Sequence, residues 1–178
     1  MKKNLSVFIA TITFLLIRQI SNAQRFVRVG DENAGASRSF TAKSISKDSM
    51  IVFDSESEIA KSGVKYPLYS TLVFKRIPSF QNIFSATFGR FRLDDLLPER
   101  SVTFNFYVNP DGEILETAIL LRKDTRLTSF EVEKLQQEMV IARFGGLNAS
   151  KVKKSDVYII QRVVTYRRVI GRVADSFL

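Results

Sequence analysis

Ser101-Val102-Thr103-Phe104-Asn105-Phe106-Tyr107-Val108-Asn109-Pro110-Asp111-Gly112-Glu113-Ile114 decides the fold class. Val102, Phe104, Phe106 and Val108 fall on one side of the chain. Ser101, Thr103, Asn105 and Tyr107 fall on the other. Such strict alternation marks a strand with one face in a core and one face wetter. Asn109–Gly112 is a tight turn, because proline presets φ at the first central position and glycine supplies a positive φ. Glu113–Arg122 then returns as the second strand of a hairpin.

Downstream of the hairpin, Thr128 and Glu131 have the spacing of a capping box, which predicts a helix over 129–144. Glu131 and Glu133 lie in its first turn and Arg143 in its last, matching the helix dipole. Val132, Leu135, Met139 and Ala142 share one face, and Gly145-Gly146 supplies a stop. Lys151–Lys154 reads as a basic loop. Val157–Val169 is long and β-branched and predicts a closing strand.

Upstream, Phe80, Ile83, Phe84, Phe88 and Phe91 recur at helical spacing behind Pro78 and Ser79, so they predict a helix with a phenylalanine core face. Leu93–Arg100 reads as a polar connector, and Pro67–Ile77 as a β-prone run. Residues 24–65 show weak patterning and read as an extended arm with one or two short strands. The expected fold is α+β: a small antiparallel sheet built on the hairpin, a helix and a closing strand. The domain proper is expected over 66–178, with the arm before it.

At the other end, Lys2 and Lys3 precede a thirteen-residue apolar run, Leu5–Ile17, and Ser21-Asn22-Ala23 precedes Gln24. These are the parts of a secretory signal peptide cut between Ala23 and Gln24. The run is too short to span a bilayer, which takes about 20 residues. The expected product is periplasmic or secreted and does not span the membrane after cleavage. It has 155 residues, enough for one domain.

The chain has 27 Lys and Arg against 18 Asp and Glu; without Lys2, Lys3 and Arg18 the balance is 24 to 18, or +6. Fifteen Phe supply core material, and there is no Trp, Cys or His. Without cysteine there are no disulfides and no lipid-modified cysteine. Without histidine or cysteine, His-containing triads and the usual zinc and copper ligand sets are excluded within this chain. Asp94, Asp95 and Glu99, or Asp111 and Glu113, are the carboxylates nearest to an acid/base arrangement. Their plainer roles are a charged connector and a hairpin turn. No cofactor is expected, and the expectation is a protein that is not an enzyme.

Val102–Ile114 resembles the first hairpin of a TonB C-terminal-type domain. Ser129–Phe144 and Val157–Tyr166 stand where that family has its helix and closing strand, so the likeness covers about 101–170. It implies a small α+β module. Lys123-Asp124-Thr125-Arg126 replaces the family's frequent Ser-Ser-Gly-like turn, and Gly145-Gly146 follows Phe144 in place of a Phe-x-Pro step. The chain has four Pro and no Pro-rich spacer. The resemblance is therefore to the module and not to an energy transducer. The leader ending Asn22-Ala23-Gln24 is similar to those of Bacteroides-type exported proteins, and Asp48-Ser49-Met50 resembles the O-glycosylation motif of those bacteria, which nominates Ser49.

Two binding modes follow from these readings. The first is strand addition to a partner envelope protein along Val157–Val169, with Arg162, Val164, Tyr166, Arg167 and Arg168 at the contact. The same run also fits a central, fully paired strand. The second is an anionic envelope polymer, glycan or lipopolysaccharide, held by Lys151, Lys153 and Lys154 together with Arg167 and Arg168. Nucleic acid is not expected as a partner, and the oligomeric state is left open.

Overall fold

A computed structural model describes residues 26–31, 33–62, 64–69, 74–148 and 155–175. Among these, seven strands form one sheet: β1 (Asn33–Ala34), β2 (Ser39–Ser44), β3 (Ser49–Asp54), β4 (Leu68–Tyr69), β5 (Ser101–Val108), β6 (Ile114–Arg122) and β7 (Tyr158–Thr165). Their order is β1-β2-β3-β6-β5-β7-β4. Neighbours are antiparallel except β4 and β7, which run parallel. The helices are α1 (Glu58–Lys61), α2 (Phe80–Thr87), α3 (Arg90–Leu96), α4 (Ser129–Ile141) and α5 (Tyr166–Asp175), with a 3-10 turn at Leu97–Glu99. The fold class is α+β, as the alternation and helix signals require.

The hairpin β5–β6 lies at the centre of this sheet. Val102, Phe104, Phe106 and Val108 are all buried beneath the helices. The turn closes with Gly112 N–H donating to Asn109 O at 3.0 Å, and Gly112 has φ +85°. On the helix side, Phe80 and Phe84 of α2 pack on Phe104, and Phe84 also meets Tyr166 edge-on. Val132, Leu135 and Met139 of α4 complete this core. Beneath the opposite face only a small cluster forms, around Phe53, Tyr107 and Ala118.

Several elements depart from their sequence patterns, each for a physical reason. Residues 24–65, read as an arm, contribute β1, β2 and β3 to the same sheet. β3 pairs with β6 from Ser49↔Arg122 to Val52↔Ile119, and Val27, Phe40, Met50 and Val52 are core residues. The phenylalanine helix stops at Thr87, because Phe88 turns extended and buries its ring. The polar connector beyond it contains α3, which buries Leu93 and Leu96 and leaves Phe91 88% exposed. The Phe stripe therefore holds to Phe88 and fails at Phe91.

α4 begins as its capping box predicts. Glu131 N–H donates to Thr128 Oγ1 at 3.2 Å, and Thr128 N–H donates to Glu131 Oε2 at 2.9 Å. It ends at Ile141, three residues early, so Arg143 lies outside the last turn. The chain leaves the helix because its next amides find tertiary acceptors: Phe144 N–H donates to Gly112 O at 2.9 Å, Gly145 N–H to Arg76 O at 2.8 Å and Leu147 N–H to Pro110 O at 3.2 Å.

The closing strand runs only to Thr165, short of the Val169 that its β-branched pattern predicts; Tyr166, Arg167, Arg168 and Val169 lie in α5. Tyr166 N–H makes the final bond to Arg100 O at 3.0 Å, and β5 offers no partner beyond that point. Tyr166, Val169 and Ile170 then follow helical spacing and pack on the core.

Candidate functional site

Position in the ladder sets what β7 offers a partner. It pairs with β5 along its whole length, Tyr158↔Val108 to Thr165↔Ser101. On its outer side, among the described residues, β4 pairs with Ile159 and Ile160. Ile159 N–H donates outward to Pro67 O at 2.9 Å, whereas Tyr166 N–H donates inward to Arg100 O. Since backbone groups alternate along a strand, those of Gln161, Val163 and Thr165 point to the outer edge. Among the described residues, no strand lies beside that edge beyond Ile160.

The edge opens into a groove. Ile77, Pro78, Phe80 and Gln81 form one wall, Val163–Thr165 the other, and Arg162, Arg168 and Val169 close it, with a volume of about 390 Å³. Val163 is 58% exposed and Ile77 is 37% exposed. The groove thus joins outward-facing backbone, apolar walls and two arginines. Its far wall exists because Pro78 ends one run and Ser79 caps α2, accepting from Asn82 N–H at 3.5 Å.

The five residues proposed for a partner-binding strand are placed differently by the structure. Arg162 and Arg168 line the groove. Val164 also lines it, but it is a core residue, opposite Val102. Tyr166 is fully buried in α5 beneath Phe84, so it meets no partner. Arg167 is exposed on α5, outside the groove lining. Sequence reasoning missed Ile77, Pro78 and Phe80, since nothing in their pattern says which strand edge they face. Lys151, Lys153 and Lys154 lie outside the described residues, as do Ala23 and Gln24.

Ser49 opens β3 half-buried, its N–H accepted by Ser46 Oγ at 3.1 Å, and Met50 beside it is in the core. The carboxylates do not converge. Asp94 and Asp95 are exposed on α3, while Glu99 is buried and accepts from Thr125 Oγ1 at 2.7 Å and from Arg126 N–H. Asp111 and Glu113 sit exposed at the hairpin turn. Among the described residues, no group of three or more carboxylates is placed to hold a metal ion. None of the described helices is long and apolar enough to cross a membrane.

No protein-family model matches this chain, and no curated protein matches it. Among solved structures, it is similar to a DUF5043 family protein from Bacteroides uniformis, with a TM-score of 0.54 and 8% sequence identity. The match covers 79% of this chain and 90% of that one. At that identity the likeness is one of fold.

Proposed function

We propose that this protein is an exported, non-catalytic binding module that captures a short extended segment of a partner envelope protein at the outer edge of β7. The observation that carries this reading is the coincidence of the outward backbone groups of Val163 and Thr165 with a groove walled by Ile77, Pro78 and Phe80. An added strand gains ladder hydrogen bonds from the edge and side-chain burial from the walls. Arg162 and Arg168 favour an acidic segment and discourage self-pairing. The other exposed edge, Thr41–Ser44 of β2, carries Lys43, whose ammonium lies 5.1 Å from the Phe53 ring centre.

A pull-down from envelope extract tests the reading. Wild-type protein retains a partner at low and at high salt, because backbone bonds are little screened. Val163→Pro removes one outward N–H where proline is tolerated, at an edge, and abolishes capture while thermal unfolding stays close to wild type. Capture that collapses as salt rises and survives Val163→Pro points instead to an anionic polymer on Arg167 and Arg168. N-terminal sequencing of exported protein is expected to begin at Gln24.

A further inference from the structure

A second cavity lies among the helices, between α2 and the end of α4. It is a groove of about 590 Å³ that shares Pro78 and Ser79, but no residue of β7, with the groove at the sheet edge. Its volume falls within the range of small-molecule pockets, about 300–1,000 Å³. Ile83 and Phe144, both buried, line it together with Ala86 and Ala142. Ile141 lines it too and is 78% exposed.

The strap that follows α4 sets the charge of this groove. Gly145 N–H donates to Arg76 O at 2.8 Å, and a Cβ at Gly145 would lie 2.7 Å from Arg76 Cβ, so glycine is what lets the strap come this close. That contact brings Arg76 and Arg143 to one end of the groove, where α2 begins and α4 ends. Among the described residues, the Arg76 guanidinium has no carboxylate in ion-pair reach. Arg143 Nη2 lies 4.0 Å from Glu113 Oε2, with both side chains more than half exposed, and such a contact holds the guanidinium weakly. The carboxylate of the lining, Glu138, stands a turn back along α4 from Ala142, away from the strap. The groove is thus apolar along its walls and positive at the strap.

From this geometry we infer that the groove binds a fatty acid, with its carboxylate between Arg76 and Arg143 and its chain along Ile83, Ala86 and Ile141. A guanidinium presents a planar fork of donors that matches a carboxylate, and here two such groups stand at the end of an apolar wall. An aliphatic chain laid against that wall removes it, and Ile141 above all, from water. The charge complementarity fixes the class: an uncharged or cationic amphiphile gains the burial without the ion pairs.

Titration at neutral pH followed by amide NMR tests this, with octanoate as the probe and 1-octanol and octyltrimethylammonium as the uncharged and cationic controls. The expected result is saturable octanoate binding in the millimolar range that moves the resonances of Ile83, Ala86, Ile141 and Ala142, with both controls about tenfold weaker. Arg76→Gln, which keeps the backbone bond to Gly145, is expected to weaken binding on the order of fivefold, and Ile141→Ser about as much, each with thermal unfolding close to wild type. The inference is overturned if octanoate does not saturate, if either control binds as tightly, or if Arg76→Gln binds as wild type does. Groove resonances that move with protein concentration alone would place a second copy of the chain there and overturn it as well.

Discussion

Tyr166 is fully buried beneath Phe84, and its hydroxyl has no hydrogen-bond partner. Phenylalanine has the same shape without that unmet group. Tyr166→Phe is therefore expected to stabilise the fold by about 1 kcal/mol in chemical denaturation. Burial, with Glu99 and Glu131 nearby, pushes the Tyr166 phenol far above the ordinary tyrosine range. Burial, then Glu116, pushes Tyr107 in the same direction. Both phenols hold their protons to higher pH in the folded state than unfolded tyrosines, which ionise near pH 10. Stability is thus full below about pH 10 and falls as pH rises further, because the unfolded state then binds fewer protons. Denaturation at about pH 8 and about pH 11 should show this fall, and it should be smaller in Tyr166→Phe. Glu133 makes the opposite case. Its buried carboxylate accepts from Ala36 N–H and from Ser37 N–H, at 3.1 Å in the second contact, and so ties the loop between β1 and β2 to α4. Glu133→Ala strands these donors and is expected to cost about 2–3 kcal/mol in the same assay.

At the scale of elements, a signal was legible wherever it was local. The alternation Val102–Val108 and the Asn109–Gly112 turn specify β5 and its hairpin without help from the rest of the chain. The capping box specifies the start of α4, and Arg92 reinforces it with a hydrogen bond from Nη2 to Glu131 Oε2 at 2.9 Å. Thr128→Ala should destabilise the protein by about 1 kcal/mol, read as a lower melting temperature with the strands unchanged by circular dichroism. The ends of elements were not legible, because tertiary contacts set them. Nothing near Ala142 announces that Phe144 and Gly145 will bond Gly112 and Arg76 and so stop α4 short. Val169 and Ile170 look like more strand, and only the end of β5 at Ser101 makes them helix. Glu133 was read as a first-turn acid for the helix dipole, which hid its buried role. The groove depended on how distant segments meet, so Arg162 and Arg168 were found by charge while Ile77, Pro78 and Phe80 were not.

For the whole molecule, the layering decides which surfaces are available. Helices cover one face of the sheet and leave α1 and Tyr66 over part of the other. Capture of a strand requires a strand margin beside a groove, and the outward backbone of β7 between Gln161 and Thr165 lies beside one. Amide exchange along β7, followed by NMR with and without the captured partner, tests the central claim most directly. The account predicts new protection at the outward amides of Val163 and Thr165, with Val164, already bonded to β5, unchanged. Protection confined to Arg167 and Arg168, or none along β7 despite a bound partner, would contradict it.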